Sequence, residues 1–269
     1  MAKLTVDVQL KQINFLDERF YLAGNDASGN PVYYPSVTHV LELYPKGAGY
    51  TQWLKDVGNN AKYVMERAMD SGSRVHDAID ILNKGNSVFW DEKVYSLEEW
   101  MGIMRYEDFY REHDVEVIAS EINVYSHKMM YAGTADVVCR IKDESWLIDC
   151  KFGNAVYDSY FLQVIAYKDA FEEMNPAYKI DRVGVLHLKA GTRTAGKGDV
   201  IQGDGWKLID PADDTRMKQI SKKRDMPVYD ILRKQFLNLL DLYYFENPDT
   251  RPKNEIYPTE ITLKYDEDE

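Results

Sequence analysis

Three side chains that could do chemistry together, Asp136, Asp149 and Lys151, lie in two stretches where apolar and polar residues alternate. Such alternation is typical of half-buried strands, in which residues two apart project from the same face. The short polar connection between the two stretches predicts a hairpin. We therefore expect two carboxylates and one ammonium group to share a patch on one face of a sheet.

The expected hairpin has residues 142–145 as its loop, so that Val138 faces Asp149 and Asp136 faces Lys151. Asp149 would then be diagonal to Asp136, with their Cβ atoms roughly 7–8 Å apart. A slip of one residue would turn the groups to opposite faces of the sheet. The shared patch therefore depends on the register of this hairpin.

Paired carboxylates repel each other unless a cation lies between them, and oxygen ligands suit Mg²⁺ or Mn²⁺. A neighbouring lysine can hold a water molecule or stabilise charge that develops on a phosphate. Together these groups could perform metal-assisted hydrolysis of a phosphodiester. The ordinary alternative is a surface Asp–Lys pair, worth under about 1 kcal/mol, and an isolated Asp-x-Lys favours that alternative.

The rest of the sequence predicts the elements that must position this patch. A helix over residues 96–113 is expected to begin at a capping box of Ser96 and Glu99. Its packed face is expected to contain Leu97, Met101, Met104 and Phe109. The other elements expected are a strand pair within residues 13–34, a helix capped by Ser36, one or two helices over 49–84, strands over 115–126 and 182–189, and helices over 157–174 and 227–244.

Further motifs occur in order along the chain: Gly72-x-x-x-His76, Glu121, Gly133-Thr-Ala-Asp136, Asp149-x-Lys151, and Gln163 four residues before Tyr167. In this order they resemble the PD-(D/E)XK nuclease superfamily. The similarity is greatest to its RecB-type branch, which includes CRISPR-associated exonucleases, the mitochondrial genome maintenance exonuclease and phage relatives. Residues 35–38, Pro-Ser-Val-Thr, add to the similarity with the mitochondrial group, and the motifs span about residues 35–167.

The resemblance implies an α/β fold with a restriction-endonuclease-like core, in which a mixed central sheet is flanked by helices in the order αβββαβ. The expected division is an N-terminal strand pair and helical region over 1–113, a catalytic core over 114–190, and a hairpin, helical cover and acidic tail over 191–269. We expect these parts to form one nuclease domain.

The resemblance also implies roles for individual residues. The implied metal ligands are His76, Asp136, Asp149 and the main-chain carbonyl of Cys150, with Glu121 acting through a water or by orienting a neighbour. The implied catalytic residues are Asp136, Asp149, Lys151 and Gln163, with Gln163 and Tyr167 contacting the substrate phosphate or ordering water. Without the resemblance, a lone histidine beside an apolar helix stripe is more often structural.

Other candidate nucleic-acid contacts are Ser36, Thr38, Arg74, Arg193 and Lys197. Ser36 and Thr38 could bind phosphate at a helix N-terminus, although helix capping is the commoner role. Arg193 and Lys197 belong to a glycine-rich stretch that lacks the spacing of a nucleotide-binding loop.

Composition limits the class of protein. The 269 residues carry a net charge of −12, which argues against broad electrostatic coating of nucleic acid but not against a local basic groove. The two cysteines, Cys139 and Cys150, cannot supply the four ligands of the iron–sulfur cluster found in CRISPR-associated relatives, so we expect no cluster. No long apolar run or secretory signal is visible, so we expect no membrane partner and a cytoplasmic location in a bacterial or phage-infected cell.

We therefore expect a Mg²⁺- or Mn²⁺-dependent DNA exonuclease that acts on single strands or ends in recombination, repair or replication. DNA is the expected partner, together with a replication or recombination protein. The residues alone support only a phosphodiesterase, and the preference for ends comes from the resemblance. Two alternatives stay open: a structure-specific or sequence-specific endonuclease, and a non-catalytic module that binds DNA or recruits a protein.

Overall fold

The computed structural model describes residues 4–6, 8–15, 18–189, 205–258 and 260–262. Within these ranges the chain forms two sheets and a set of flanking helices. The strands are β1 (Lys11–Phe15), β2 (Glu18–Asn25), β3 (Pro31–Pro35), β4 (Glu116–Ser126), β5 (Tyr131–Ile141), β6 (Glu144–Lys151), β7 (Arg182–His187) and β8 (Lys207–Ile209). The helices are α1 (Val37–Val40), α2 (Ala48–Val57), α3 (Ala61–Asn83), α4 (Leu97–Glu112), α5 (Asp158–Met174), α6 (Thr215–Arg224) and α7 (Val228–Glu246).

The larger sheet has the order β4-β5-β6-β7-β8, in which β6 and β7 are parallel and the other neighbours are antiparallel. The smaller sheet is antiparallel with the order β1-β2-β3. A mixed sheet flanked by helices confirms the expected α/β class. The order of three strands, helix α5 and a further strand also agrees with the expectation.

Helices cover both faces of the larger sheet. On one face, Phe161 and Ile165 of α5 and Phe236 of α7 pack in one core cluster with Val138 and Leu147 of the sheet. On the other face, apolar residues of α3 and α4 pack against alternate residues of β5 and β6. This second cluster contains Val75, Ile79, Tyr106, Phe109, Val137, Cys139, Ile148 and Cys150. Both cysteines are buried and unpaired.

The hairpin between β5 and β6 is tighter than expected. Ile141 pairs with Glu144, so the turn has two residues, and Val138 pairs with Leu147 instead of Asp149. The expected register was therefore wrong by two residues, because the Lys-Asp turn lacks the Asn-Gly or Asp-Gly signal of a two-residue loop. A shift of two residues keeps every side chain on its expected face.

The packed face of α4 also differs from the expectation. The capping box is present, with the Ser96 hydroxyl accepting from the Glu99 N–H. However, Leu97 and Met104 are 67% and 51% exposed, and of the four residues expected at the packed face only Phe109 is buried. The buried face is centred on Gly102 because the Phe152 ring lies against it, where a Cβ atom would come within 2.5 Å.

Several elements were not expected from the sequence. The N-terminal strand pair is a three-stranded sheet, because residues 11–15 also pair with β2. Strand β8 and helix α6 were missed, and the basic residues 222–224 form the last turn of α6, where they complement the helix dipole. Within the described ranges, every helix is too short or too polar to cross a bilayer.

Candidate functional site

An open cleft of about 410 Å³ lies between the N-terminal sheet, helix α3 and strands β4–β6. Nine residues expected to act at the site line it: Ser36, Thr38, His76, Glu121, Asp136, Asp149, Lys151, Gln163 and Tyr167. These residues come from a chain segment of more than a hundred residues, so only the fold brings them together. The cleft is therefore the place where these side chains could act together.

Asp136 lies at the centre of the site on β5. Its Oδ2 atom accepts a 2.7 Å hydrogen bond from the main-chain N–H of Cys150 and lies 3.3 Å from Nδ1 of His76. His76 reaches this position because the buried stripe of Val75 and Ile79 fixes the rotation of α3 on the sheet. The carboxylate is thus held between β6 and α3.

Asp149 and Lys151 form an ion pair on β6, with Nζ of Lys151 2.7 Å from Oδ2 of Asp149. The Asp149 side chain is only 1% exposed, and its Oδ1 atom has no hydrogen-bond partner among the described residues. Burial raises the pKa of Asp149 and the Asp136 carboxylate adds to the rise, while Lys151 opposes it. Burial disfavours the charge on Lys151, but the carboxylates of Asp149 and Asp136 outweigh burial and raise its pKa.

Glu121 enters the cleft through an unusual backbone conformation. Its φ is +50°, although the residues on either side, Ser120 and Ile122, both pair with β5. For a residue other than glycine this conformation costs on the order of 1–3 kcal/mol. Partial burial, the Asp136 carboxylate and further acidic neighbours raise the pKa of Glu121.

Residues of β4 do not alternate regularly between the two faces of the sheet. A bulge between Val117 and Ala119 shifts the register against β5. As a result, Val117 packs with α3 and α4, whereas Ala119 belongs to the core cluster on the opposite face. The position of Glu121 is therefore a product of local irregularity rather than of strand periodicity.

His76, Glu121 and Asp136 have candidate ligand atoms that all lie within 4.8 Å of one another. Nitrogen and carboxylate oxygen donors of this kind fit Mn²⁺ or Mg²⁺. Glu121 is close enough to be a direct ligand rather than one acting through water. Asp149 lies outside this compact triad and pairs with Lys151, and the ligand role of the Cys150 carbonyl stays a prediction.

Gln163 and Tyr167 are four residues apart on α5 and both are buried. The Gln163 Nε2 donates to the Tyr167 hydroxyl at 3.0 Å. The Tyr167 ring packs directly on Gly133, where a Cβ atom would lie 2.4 Å from Cε1. This contact explains why the Gly-Thr-Ala-Asp stretch begins with a residue that has no side chain.

The other expected nucleic-acid contacts have different outcomes. Ser36 caps α1, because its hydroxyl accepts from the N–H of His39, and it also lies 2.9 Å from the Thr38 hydroxyl. Arg74 does not line the cleft: its guanidinium donates to Glu99 at 2.6 and 3.1 Å, which ties α3 to α4. Arg193 and Lys197 lie outside the described residues.

Further residues that were not expected there also line the cleft, among them Gln12, Arg19, Tyr21 and Asp77. The first three come from β1 and β2, where polar residues alternate with the buried Ile13 and Phe20. That alternation predicts which residues of β1 and β2 share a face. It does not predict that this face contacts the larger sheet, whose strands lie about 100 residues further along the chain. Tyr21 makes such a contact through its hydroxyl, 3.0 Å from the Thr134 hydroxyl.

The sequence matches no protein-family model and no curated protein.

Proposed function

We propose that this protein is a nuclease that uses Mg²⁺ or Mn²⁺ to hydrolyse DNA phosphodiester bonds. The observation that carries the proposal is that Asp136, Asp149, Lys151, His76 and Glu121 line one open cleft. A surface Asp–Lys pair, the ordinary alternative, would be solvated, whereas Asp149 is almost fully buried. Burial of the Asp136 and Asp149 carboxylates close to each other is costly unless cations offset their charge, and a bound divalent ion would do so.

The residues of the cleft fit a divalent ion. His76, Glu121 and Asp136 would hold it, and the unpartnered Oδ1 of Asp149 is a buried carboxylate oxygen that a cation nearby would stabilise. When bound, the ion supplies Lewis-acid polarisation of a phosphoryl oxygen and lowers the pKa of a water molecule.

The protein residues have separable tasks. The raised pKa of Lys151 keeps its ammonium protonated, so it acts as a cation that offsets negative charge on the phosphate rather than as a base. The Cys150 N–H and the Asp149 carboxylate fix the positions of Asp136 and Lys151 respectively. Gln163 is held by Tyr167 at the cleft wall, where its amide can orient substrate or water.

The element order supports a more specific proposal for the fold. Helix α4, strands β4–β6, helix α5 and strand β7 follow the order αβββαβ, and the acidic residues and Lys151 lie on neighbouring strands β5 and β6. We propose a restriction-endonuclease-like core of the PD-(D/E)XK superfamily and its RecB-type branch. From the order of motifs that resembles the RecB-type branch, and not from the element order, we propose an exonuclease that acts in the cytoplasm on single-stranded DNA or on DNA ends. A replication or recombination protein is the proposed protein partner.

End-labelled linear DNA tests this function. Single- and double-stranded substrates are incubated with Mn²⁺ or Mg²⁺, with and without a chelator, and 5′- and 3′-blocked ends report polarity. We expect degradation of linear DNA that the chelator abolishes, with circular single-stranded DNA left intact. Cutting of the circle would instead identify an endonuclease, and binding without cleavage in either metal would identify a non-catalytic module.

A further inference from the structure

One face of the N-terminal sheet forms a wall of the cleft. Gln12 and Arg19 both line the cleft, and the register pairs Gln12 with Tyr21 and Asn14 with Arg19, so these four residues share a face. The opposite face contains the small apolar cluster around Ile13. The polar face is therefore selected by strand alternation and turned toward the candidate metal site.

The side chains on this wall are connected to each other. The amide Oδ1 of Asn14 accepts a 3.0 Å hydrogen bond from Gln12 Nε2 and a 3.3 Å hydrogen bond from Arg19 Nε. Because Asn14 uses only the Nε–H of Arg19, the two terminal nitrogens of the guanidinium are left for another acceptor. Asn14 thus positions a guanidinium fork without neutralising it.

Arg19 differs electrostatically from Lys151, which is the other Lys or Arg among the described residues that line the cleft. Lys151 is paired with Asp149, whereas Arg19 has no ion-pair partner among the described residues. The cleft also contains the carboxylates of Asp77 and Glu121. A polyanionic strand would be repelled from such a cleft unless a cation at its wall engages the backbone.

The wall is fixed to the catalytic sheet rather than free to move. The Tyr21 hydroxyl lies 3.0 Å from that of Thr134, two residues before Asp136. The N–H of Leu10 also donates to Asn123 Oδ1 at 2.8 Å, and Ser36 forms a β-bridge with Ala132. These contacts hold the guanidinium at a set position relative to the metal site.

We infer that Arg19 and Gln12 form a phosphate-binding subsite for the nucleic-acid strand, with Asn14 as the positioning residue. The ligand is a phosphate of the strand being cut, either an internal phosphodiester or a terminal phosphate. The inference rests on the proposed function and extends it by assigning the N-terminal sheet to substrate binding.

The experiment measures binding and cleavage on the same variants. Fluorescence anisotropy with a labelled single-stranded oligonucleotide, with and without a 5′-phosphate, is performed in Ca²⁺, and KM and kcat are measured in Mn²⁺. The variants are Arg19→Ala, Arg19→Lys and Asn14→Asp. The control is Lys11→Ala, which removes the same charge from the neighbouring strand β1 of the same sheet, at a residue that does not line the cleft.

We expect Arg19→Ala to weaken oligonucleotide binding about 5- to 10-fold and to raise KM more than it lowers kcat. The salt dependence of the binding constant should fall by the amount that corresponds to about one phosphate contact. Arg19→Lys should recover binding only in part because lysine lacks the fork. Asn14→Asp should weaken binding by pairing with Arg19, and Lys11→Ala should stay within about twofold of the unmodified protein. A larger effect with the 5′-phosphate would identify a terminal phosphate as the ligand.

Other outcomes separate this inference from the proposed function. Normal cleavage with equal binding by Arg19→Ala and Lys11→Ala would overturn the subsite and leave the nuclease standing. Binding that depends on Arg19 without any cleavage would support the subsite and overturn the nuclease. An unmodified protein that neither binds nor cleaves nucleic acid would overturn both.

Discussion

The main-chain N–H of Cys150 donates a 2.7 Å hydrogen bond to the Oδ2 atom of Asp136, which links one candidate metal ligand to the backbone between Asp149 and Lys151. The relative positions of the three groups are therefore set by the pairing of β5 with β6 and not by side-chain flexibility. Such preorganisation is what a site needs if it is to stabilise charge that develops during a reaction.

Replacing Lys151 with methionine tests the role of the ammonium group. We expect DNA cleavage to fall by at least about 100-fold because charge stabilisation at the phosphate is lost. The metal-free protein should also lose about 1–3 kcal/mol of stability, since the buried Asp149 carboxyl group is left without its partner. Cleavage assays and chemical denaturation, with circular dichroism as a check of folding, measure the two effects.

Lys168 offers a matched control for this variant. Its Nζ lies 2.6 Å from Glu172 Oε1 in another poorly exposed ion pair, on a residue that does not line the cleft. Lys168→Met should lower stability comparably and leave cleavage unchanged. A Lys151→Met protein with full metal-dependent activity would refute the catalytic assignment.

Replacing Glu121 with glutamine tests whether the acidic cluster is built for a cation. Without metal the melting temperature should rise, because burial and the neighbouring Asp136 carboxylate both disfavour the charged form of Glu121, and glutamine carries no charge. The further rise produced by Mn²⁺ should shrink, because one ligand of the triad is weakened. Thermal unfolding with and without Mn²⁺ measures both changes, and an unchanged Mn²⁺ effect would exclude Glu121 as a ligand.

The backbone contribution at Glu121 can be separated from its charge. Glu121→Gly should stabilise the metal-free protein by about 1 kcal/mol more than Glu121→Gln, because glycine adopts a φ of +50° without strain. Met130 has a φ of +60° and does not line the cleft, so Met130→Gly should raise the free energy of unfolding by relieving the same backbone strain and should leave DNA cleavage unchanged. Equal stability of the two Glu121 variants would argue against stored strain.

Local patterns in the sequence predicted which candidate site residues share a face of the sheet, but not the strand register or the contacts between distant elements. Alternation of apolar and polar residues predicted that Asp149 and Lys151 lie on the same face. The pairing register of β5 with β6 was wrong by two residues, but this does not change the face because side chains alternate with a period of two. The bulge before Glu121 could not be predicted, since it depends on how β4 fits β5. The pairing of Arg74 with Glu99, away from the cleft, could not be predicted because Glu99 lies on the next helix and has no signal in the sequence around Arg74.

Gly133→Ala tests the packing of the β5 backbone against α5. The new methyl group would lie 2.4 Å from Cε1 of the buried Tyr167 ring, which must move and carry the Gln163 amide with it. We expect a loss of about 1–3 kcal/mol in stability and a lower kcat. Gly49→Ala is the control, because a Cβ atom there has no atom within 4 Å and should stabilise α2 by up to about 1 kcal/mol. Equal stability of Gly133→Ala and Gly49→Ala would show that the Tyr167 ring can move away from the new methyl group at no cost in stability.

The ion pair between the buried Glu99 and the partly exposed Arg74 predicts how stability changes at acidic pH. Burial opposes the charge on Glu99, but the Arg74 guanidinium and the Ser96 N–H outweigh burial and lower its pKa to about 2. A carboxyl group with a lowered folded-state pKa contributes stability above its ordinary pKa of 4.5, and this contribution is lost as the pH falls from about 4.5 toward 2. The shift sets an upper bound of about 3 kcal/mol, and about 1–2 kcal/mol is the better expectation because Arg74 is 42% exposed.

Glu99→Gln isolates this contribution from the other acidic groups. The variant should be less stable than the unmodified protein at pH 7, and the difference should narrow as the pH is lowered toward 3, because glutamine does not titrate. Urea denaturation over that pH range measures the difference in stability. Arg74→Met should also be less stable than the unmodified protein at pH 7, with a difference that narrows toward pH 3, and it should retain cleavage. A difference that is constant with pH would show that Glu99 acts through the neutral hydrogen bonds of the capping box and not through its charge.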